Sequence, residues 1–465
     1  MTSLRSIFRG GKSHGNKPPT RDLTTGNPFR LILSYSLPLF FGNLFQQLYS
    51  MADTVIVGRL LGANALAAVG STGPMNFLVL GFVSGITAGC AVITAQRFGA
   101  KDESGVRRSV AMNIMLNALF CIIITVISVA TVNPVLSLVN TPQEIFADAS
   151  GYITIIFSGI GTMILYNVAA CLLRAVGDSK SPLYFLIIAS ILNIALDIVF
   201  IYFFGWGVAG AAWATVVSQG ISGIVSVIYI AKRFPILCVK KNDFAFHVSF
   251  ARQHLQIGIP MALQFSITAV GVVILQGALN VFGPVKIAAF TAVQKVEQLP
   301  VVFAMTLGVT MANYTGQNIG AHKLERIKEG TKQGVVIALG GAVIGIAIVL
   351  SFYEPLISLF LKNPEAELMA AAKQYLFLTC VFFPPLFVIF IFRNVLQSMG
   401  KSFMPLMTGV LELVARAVVA YTLPHYIGFL GVCLAEPAAW LSAAIMLAIS
   451  YMVIIRKYKM PPEFA

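Results

Sequence analysis

Charge is scarce in this chain. Only 11% of its 465 residues are Asp, Glu, Lys or Arg, against 57% apolar residues, a balance that excludes an ordinary soluble domain. Chemistry-bearing patterns are scarce too. Walker A, HExxH and CxxC are absent, and the GxSxG match GKSHG (11–15) falls in the polar stretch before the first apolar run, so neither nucleotide hydrolysis nor ordinary hydrolytic catalysis has residues to carry it. The six cysteines lack metal spacing and read as small packing residues. The five histidines fall in tails, loops or helix ends. No apolar leader precedes the first long apolar run, so residues 1–28 are expected to be a flexible cytoplasmic tail.

What is present is apolar sequence in lengths that span a bilayer, for which a helix needs roughly 20 residues. Twelve segments qualify, at about 31–57, 66–95, 110–132, 148–173, 183–204, 208–231, 255–281, 287–314, 333–352, 373–395, 404–423 and 430–455. The expectation is an all-α integral membrane protein of twelve transmembrane helices. The net charge of +14 is concentrated before the first segment and after the even-numbered ones. That is an orientation signal placing both termini in the cytoplasm, and it argues against nucleic acid as a partner.

A shift of about 221 to 223 residues superimposes one half of the chain on the other. LPLFFG (37–42) falls on IPMALQ (259–264), AQRFGAK (95–101) on GQNIGAH (316–322), RAVGDSKSP (174–182) on QSMGKSFMP (397–405), and GVAGAAWAT (207–215) on GFLGVCLAE (428–436). Each half carries six helices, so the halves share one orientation. The expected layout is a bundle over 29–231, a cytoplasmic linker over 232–254, a second bundle over 255–455 and a short cytoplasmic tail over 456–465. The two six-helix bundles are pseudo-symmetric.

Asp53 and Asp197 lie in apolar segments free of Lys and Arg. A charge at bilayer depth is costly enough that it persists mainly where it lines a cavity, pairs, or binds an ion or proton. Counted from the helix ends, Asp53, Asp197 and Thr215 all fall roughly 7–11 Å below the outer surface. Asn193 is one helical turn from Asp197, on the same face. Two carboxylates, an amide and a hydroxyl at one depth form an oxygen set suited to Na⁺ or to protons. In the second half, Lys295, Glu297, Glu412, Arg416 and Glu436 are read as a largely self-compensated network, with Glu412 and Arg416 as an i,i+4 pair and Lys295 offsetting one of the other glutamates. Pro38, repeated at Pro260, reads as a kink or hinge in the first helix.

These residues carry a family resemblance. LP followed by QQLYSMADTVIVGRLLGANALAAVG, then LRAVGDSKSP with LNIALDIVF, then GQNIGA, resemble the multidrug and toxic compound extrusion (MATE) transporters over residues 28–455, in the branch that holds DinF-like and archaeal members. The resemblance implies a cation site at Asp53, Asn193, Asp197 and Thr215, with Gln46 and Asn167 as further polar positions of the cavity. The carboxylates that another branch of the family carries in helices 7 and 10 are missing here.

The expected function is therefore secondary antiport in the cell inner membrane, by a monomer surrounded by lipid. Amphipathic organic compounds, expected to be cationic, leave in exchange for H⁺ or Na⁺, without a cofactor and without enzymatic activity. A flippase for a lipid-linked sugar is the nearest alternative. It would need a basic cavity, and the first-half segments as drawn contain no Lys or Arg. A membrane-embedded enzyme is the more distant one.

Overall fold

The computed structural model describes residues 20–358 and 366–461, and among them no strand occurs. Twelve helical passages follow in order: Pro28–Leu61; Ala63–Ser71 running into Gly73–Gly99; Glu103–Leu138; Gln143–Ser158 with Ile160–Ala175; Ser181–Asp197 with a π-helical end, Ile198–Phe203; Gly207–Arg233; Val248–Leu279; Gly283–Gly320; Leu324–Ser351; Ala366–Cys380 with Phe383–Ser398; Phe403–Thr422; and Phe429–Cys433 running into Ala435–Lys457. Eight of the stretches are long and apolar enough to cross a membrane, or ten when each of two bent pairs is one span. One of the eight, Val248–Gly320, comprises two passages that meet at Gly283, where φ is +79°. The remaining passage is the first, 34 residues long, whose apolar character is diluted by Asn43, Gln46, Gln47 and Asp53. Several helices overrun their apolar windows, since polar residues such as Arg107 and Gln317 continue the backbone beyond the hydrocarbon.

The repeat shows in the shape. The fourth and tenth spans occupy equivalent places in the two halves, and they bend by 46° and 48°. It shows again where the halves meet, on the face of the bundle that carries both termini. Gln96 donates to the carbonyl of Ser398 at 2.8 Å, and its repeat mate Gln317 donates to the carbonyl of Ala175 at 2.9 Å. Beside these bonds the second and eighth spans touch. A Cβ on Gly99 would stand 1.9 Å from Gln317 O, and one on Gly320 would stand 1.7 Å from Gln96 O. The glycines of the repeated Gln-x-x-Gly-Ala motif are thus what lets the two halves latch.

Residues 20–27 depart from the flexible tail expected over 1–28, of which 1–19 lie outside the described residues. They dock on the same seam. Leu23 is buried, its N–H donates to Gln317 Oε1 at 2.9 Å, and its carbonyl accepts from Asn318 Nδ2 at 3.2 Å. Lys323 and Arg326 donate to the carbonyls of Thr24 and Gly26, while Arg21 N–H reaches Val176 O. A segment that satisfies this many end-of-helix groups is a structural strap. The linker between the halves is likewise ordered, as two short 3-10 turns, with Asp243 held 3.6 Å from Arg107 of the third span.

Candidate functional site

The first-half oxygen set is brought together. Asp197 ends the regular part of the fifth span and is fully buried, and the wider π-helical turn begins at the next residue. Such π turns frequently mark functional positions. Asn193, 1% exposed, bridges the set. With its amide oriented to satisfy both ends, the nitrogen donates to Asp197 Oδ2 at 3.0 Å and the oxygen accepts from Thr215 N–H at 3.1 Å. Asp53 from the first span faces Asp197 within hydrogen-bonding reach. Asp53 Oδ1 and Asp197 Oδ1 are both buried without a partner. Neither acid has a basic side chain within ion-pairing distance among the described residues.

Two tyrosines join this set that sequence reasoning missed. Tyr49 reaches Thr215 and lies close to Asp53, and Tyr152 of the fourth span lies close to Asp53, Asp197 and Tyr49. Tyr49 was findable, being one turn from Asp53 on the same helical face. Tyr152 is flagged only by the repeat, through its mate Tyr375.

Below this set, between the two halves, lies a cavity of about 810 Å³. Its wall includes Pro38, Gln46 and Asn167, as well as Phe77, Phe265 and Met305. Some of its amides are spent on structure: Asn43 donates to Thr306 at 3.0 Å and Gln47 to Gln298 at 2.8 Å, tying the first span to the eighth. Gln46, Asn167 and Gln219 make no such bond within the described chain. Two arginines, Arg174 and Arg393, also line the wall, and among the described residues no Asp or Glu does. Arg174 stands one residue past the apolar window 148–173 but belongs to Ile160–Ala175, because the helix end runs on past that window, and Arg393, inside the window 373–395, belongs to Phe383–Ser398. The first-half spans are therefore not free of basic residues.

The second-half network is rearranged relative to expectation. Glu412 pairs with Arg393 across two spans, and Arg416 is not its partner. Arg416 is buried over Gly271, where a Cβ would stand 2.3 Å from Nη1, and its Nε is unpartnered. Lys295 is exposed and offsets neither glutamate, since two residues along a helix is the wrong spacing for Glu297 to meet it. Glu297 is 5% exposed with an unpartnered Oε1, within electrostatic reach of Glu436, whose Oε2 accepts from Tyr375 at 2.8 Å. Lys286 is committed to Glu367 at 3.4 Å. The expected self-compensated cluster is thus two separate things: one ion pair, and a second pair of acids without a base.

Twelve apolar passages in two repeat-related halves, meeting at a central cavity with buried acids at depth, define a multi-pass membrane transporter. The MatE family model matches residues 38–199 and 257–422. The probable multidrug resistance protein YpnP of Bacillus subtilis is 30% identical over 411 residues, covering 86% of this chain and 88% of that protein. The probable multidrug resistance protein YoeA of the same organism is 27% identical, covering 93% and 95%. A solved outward-facing multidrug resistance MATE transporter shares the fold with a TM-score of 0.88 at 24% identity, over 95% of this chain and 99% of that one. The chain belongs to the MatE family, whose members are transporters and not enzymes.

Proposed function

We propose that this protein is a secondary active antiporter of the cell inner membrane, working as a monomer in contact with lipid and with both termini cytoplasmic. It exports amphipathic organic compounds in exchange for H⁺ or Na⁺. The observation that supports this most is the pairing of Asp53 with Asp197, two acids that face each other at membrane depth with no base beside them. Two like charges 4 Å apart at an effective dielectric of 20 repel by about 4 kcal/mol. A proton or a sodium ion held by Asp53, Asn193, Asp197 and Thr215 removes that repulsion. An ion drives an export cycle only through unequal affinity for the two states of the carrier. A site assembled from the first, fifth and sixth spans has such inequality built in, since any rebending of the first span at Pro38 changes the distance between its acids.

The seal made by Gln96, Gln317 and residues 20–27 closes the terminal face, which corresponds to the outward-facing member of the cycle. Opening that face requires the latch to part. The test is transport in proteoliposomes with a proton gradient and a sodium gradient imposed separately. Asp53→Asn and Asp197→Asn are expected to abolish gradient-driven export at equal protein content, because each removes a titratable charge and little volume. Thr215→Ala, which removes one neutral ligand, weakens cation binding more mildly. Wild-type export by either Asn variant excludes this coupling site.

A further inference from the structure

The charged groups of the central cavity point to the charge of the compound it carries, an inference that rests on the export reading above. Arg393 is neutralised by Glu412. Arg174 is not neutralised: among the described residues the one hydrogen bond of its guanidinium is Nη2 to Cys171 Sγ at 3.0 Å, its other near neighbours are Tyr166 and Tyr35, and no carboxylate lies within ion-pairing distance. A guanidinium keeps its charge and presents five N–H donors. Part-buried in the protein without an acid beside it, it is costly, and a ligand oxyanion offsets that cost with the bidentate geometry that arginine favours. Asn167, two helical turns before Arg174, and Gln46 and Gln219 offer the same wall further polar groups unspent on the protein. Apolar side chains including Phe77, Phe265 and Met305 face the same space.

We propose that the cavity takes an amphipathic organic anion, its carboxylate, sulfonate or phosphate on Arg174 and its apolar body against the wall. The expectation of a cationic substrate finds no carboxylate in that wall. Asp53 and Asp197 do not compete directly for such a ligand, since Arg174 stands at the latched end of its span and Asp197 lies about 24 Å of helix from the corresponding end of the fifth. Ion and substrate then communicate through the bending and latching of the spans.

Equilibrium binding needs no gradient, so it separates this proposal from the export reading. Three fluorescent probes with one apolar body, pyrenebutyrate, pyrenebutanol and pyrenebutyl-trimethylammonium, are titrated by anisotropy onto the full chain in nanodiscs. Wild type is expected to bind the anion at least tenfold more tightly than the cation, with the alcohol between. Arg174→Gln should lose about tenfold for the anion and leave the alcohol unchanged, which also certifies its fold, and Arg174→Lys should fall between. Nanodiscs of phosphatidylcholine and of phosphatidylglycerol distinguish the source of the oxyanion. Pyrenebutyrate binding that weakens in the anionic bilayer for wild type but not for Arg174→Gln, which shares the same surface repulsion, assigns Arg174 to a lipid headgroup, and an equal change in both assigns it to a free amphiphile. A cation bound as tightly as the anion by wild type overturns the proposal even if the variants fail to fold. So does an unchanged anion-to-alcohol ratio in Arg174→Gln. Intact anion binding without gradient-driven export counts against the antiport reading alone.

Discussion

The two halves of the molecule place buried acids at related positions but build them from different residues. In the first half the pair is Asp53 and Asp197, on the first and fifth spans, with Thr215 and Tyr152 beside them. In the second it is Glu297 and Glu436, on the eighth and twelfth, with Tyr375 hydrogen-bonded to Glu436. Under the repeat Glu436 takes the place of Thr215, and Tyr375 that of Tyr152. A location in the fold has been kept while the carboxyls that occupy it have moved between helices. In setting the two pairs are alike, each joining one part-exposed acid, Asp53 or Glu436, to one buried acid, Asp197 or Glu297. The neutral partners distinguish the halves: Asn193 bridges Asp197 to the backbone of Thr215, whereas Glu436 accepts from Tyr375.

Neutralising the acids is the strongest test of that difference. If the Asn193 and Thr215 partners make the first pair the ion site, Glu297→Gln and Glu436→Gln slow export several-fold, in contrast to the complete loss expected of the Asp53 and Asp197 variants, and both glutamine variants stay folded. Proteoliposome rates on all four variants settle it. Equal loss in both halves would break the comparison and make the second pair a coupling site as well.

The next effect concerns stability and separates the two kinds of second-half charge. Glu412→Gln strands Arg393, and losing one partner of a buried ion pair costs about 3–5 kcal/mol. The double change Glu412→Gln with Arg393→Gln should recover much of that loss, whereas Glu412→Gln with Arg416→Gln should recover none of the Arg393 component. Thermal unfolding in detergent across the series reads the outcome. Rescue by Arg416→Gln instead would restore the helical i,i+4 pairing.

That pairing shows where sequence reading stops. Asp197 and Asn193 share a face because a helix repeats every 3.6 residues, so their association was legible, as was the depth shared with Asp53 and Thr215. Gln46 and Asn167 lie on the cavity wall. The partner of Glu412 was not legible, since Arg393 reaches it from another span and only packing decides which basic group arrives. Arg174 was hidden by a boundary: the apolar window ends one residue before it, while the helix carries it to the cavity floor. The strap over 20–27 was missed because its sequence is polar and its stability comes from helix-end groups contributed by distant segments.

The latch is symmetric in sequence but loaded unequally. Gln96 makes one bond across the seam, whereas Gln317 makes two, to Ala175 O and to Leu23 N–H. At about 1 kcal/mol per net hydrogen bond, Gln317→Ala should open the terminal face more readily than Gln96→Ala. Amide hydrogen exchange checks this directly. Protection over residues 20–27 should fall in the Gln317 variant and persist in the Gln96 variant, and equal loss in both would mean that the strap follows the seam and does not depend on Gln317 itself.

The smallest expected difference lies just beyond the latch, where the third and ninth spans begin. Asp102 caps the third, accepting from Gly105 N–H at 2.8 Å and from Ser104. Its repeat mate Lys323 makes no side-chain cap and reaches back to the strap. Burial pushes the Asp102 carboxyl up, but the hydrogen bonds from Gly105 and Ser104 and the charge of Arg97 outweigh it, so the group sits below the usual carboxylate range. A depressed acid contributes stability that is present above its unfolded pKa of about 3.9 and is lost as pH falls through the folded value. Asp102→Ala should therefore cost about 1 kcal/mol at neutral pH, the usual worth of an N-cap, and the gap to wild type should close below pH 4. Lys323→Ala should show no such acid dependence, because its contact is with backbone oxygen on the strap. Melting curves at pH 7 and near pH 3 compare them, and a pH-independent Asp102 gap would mean that the carboxylate charge contributes nothing to the cap.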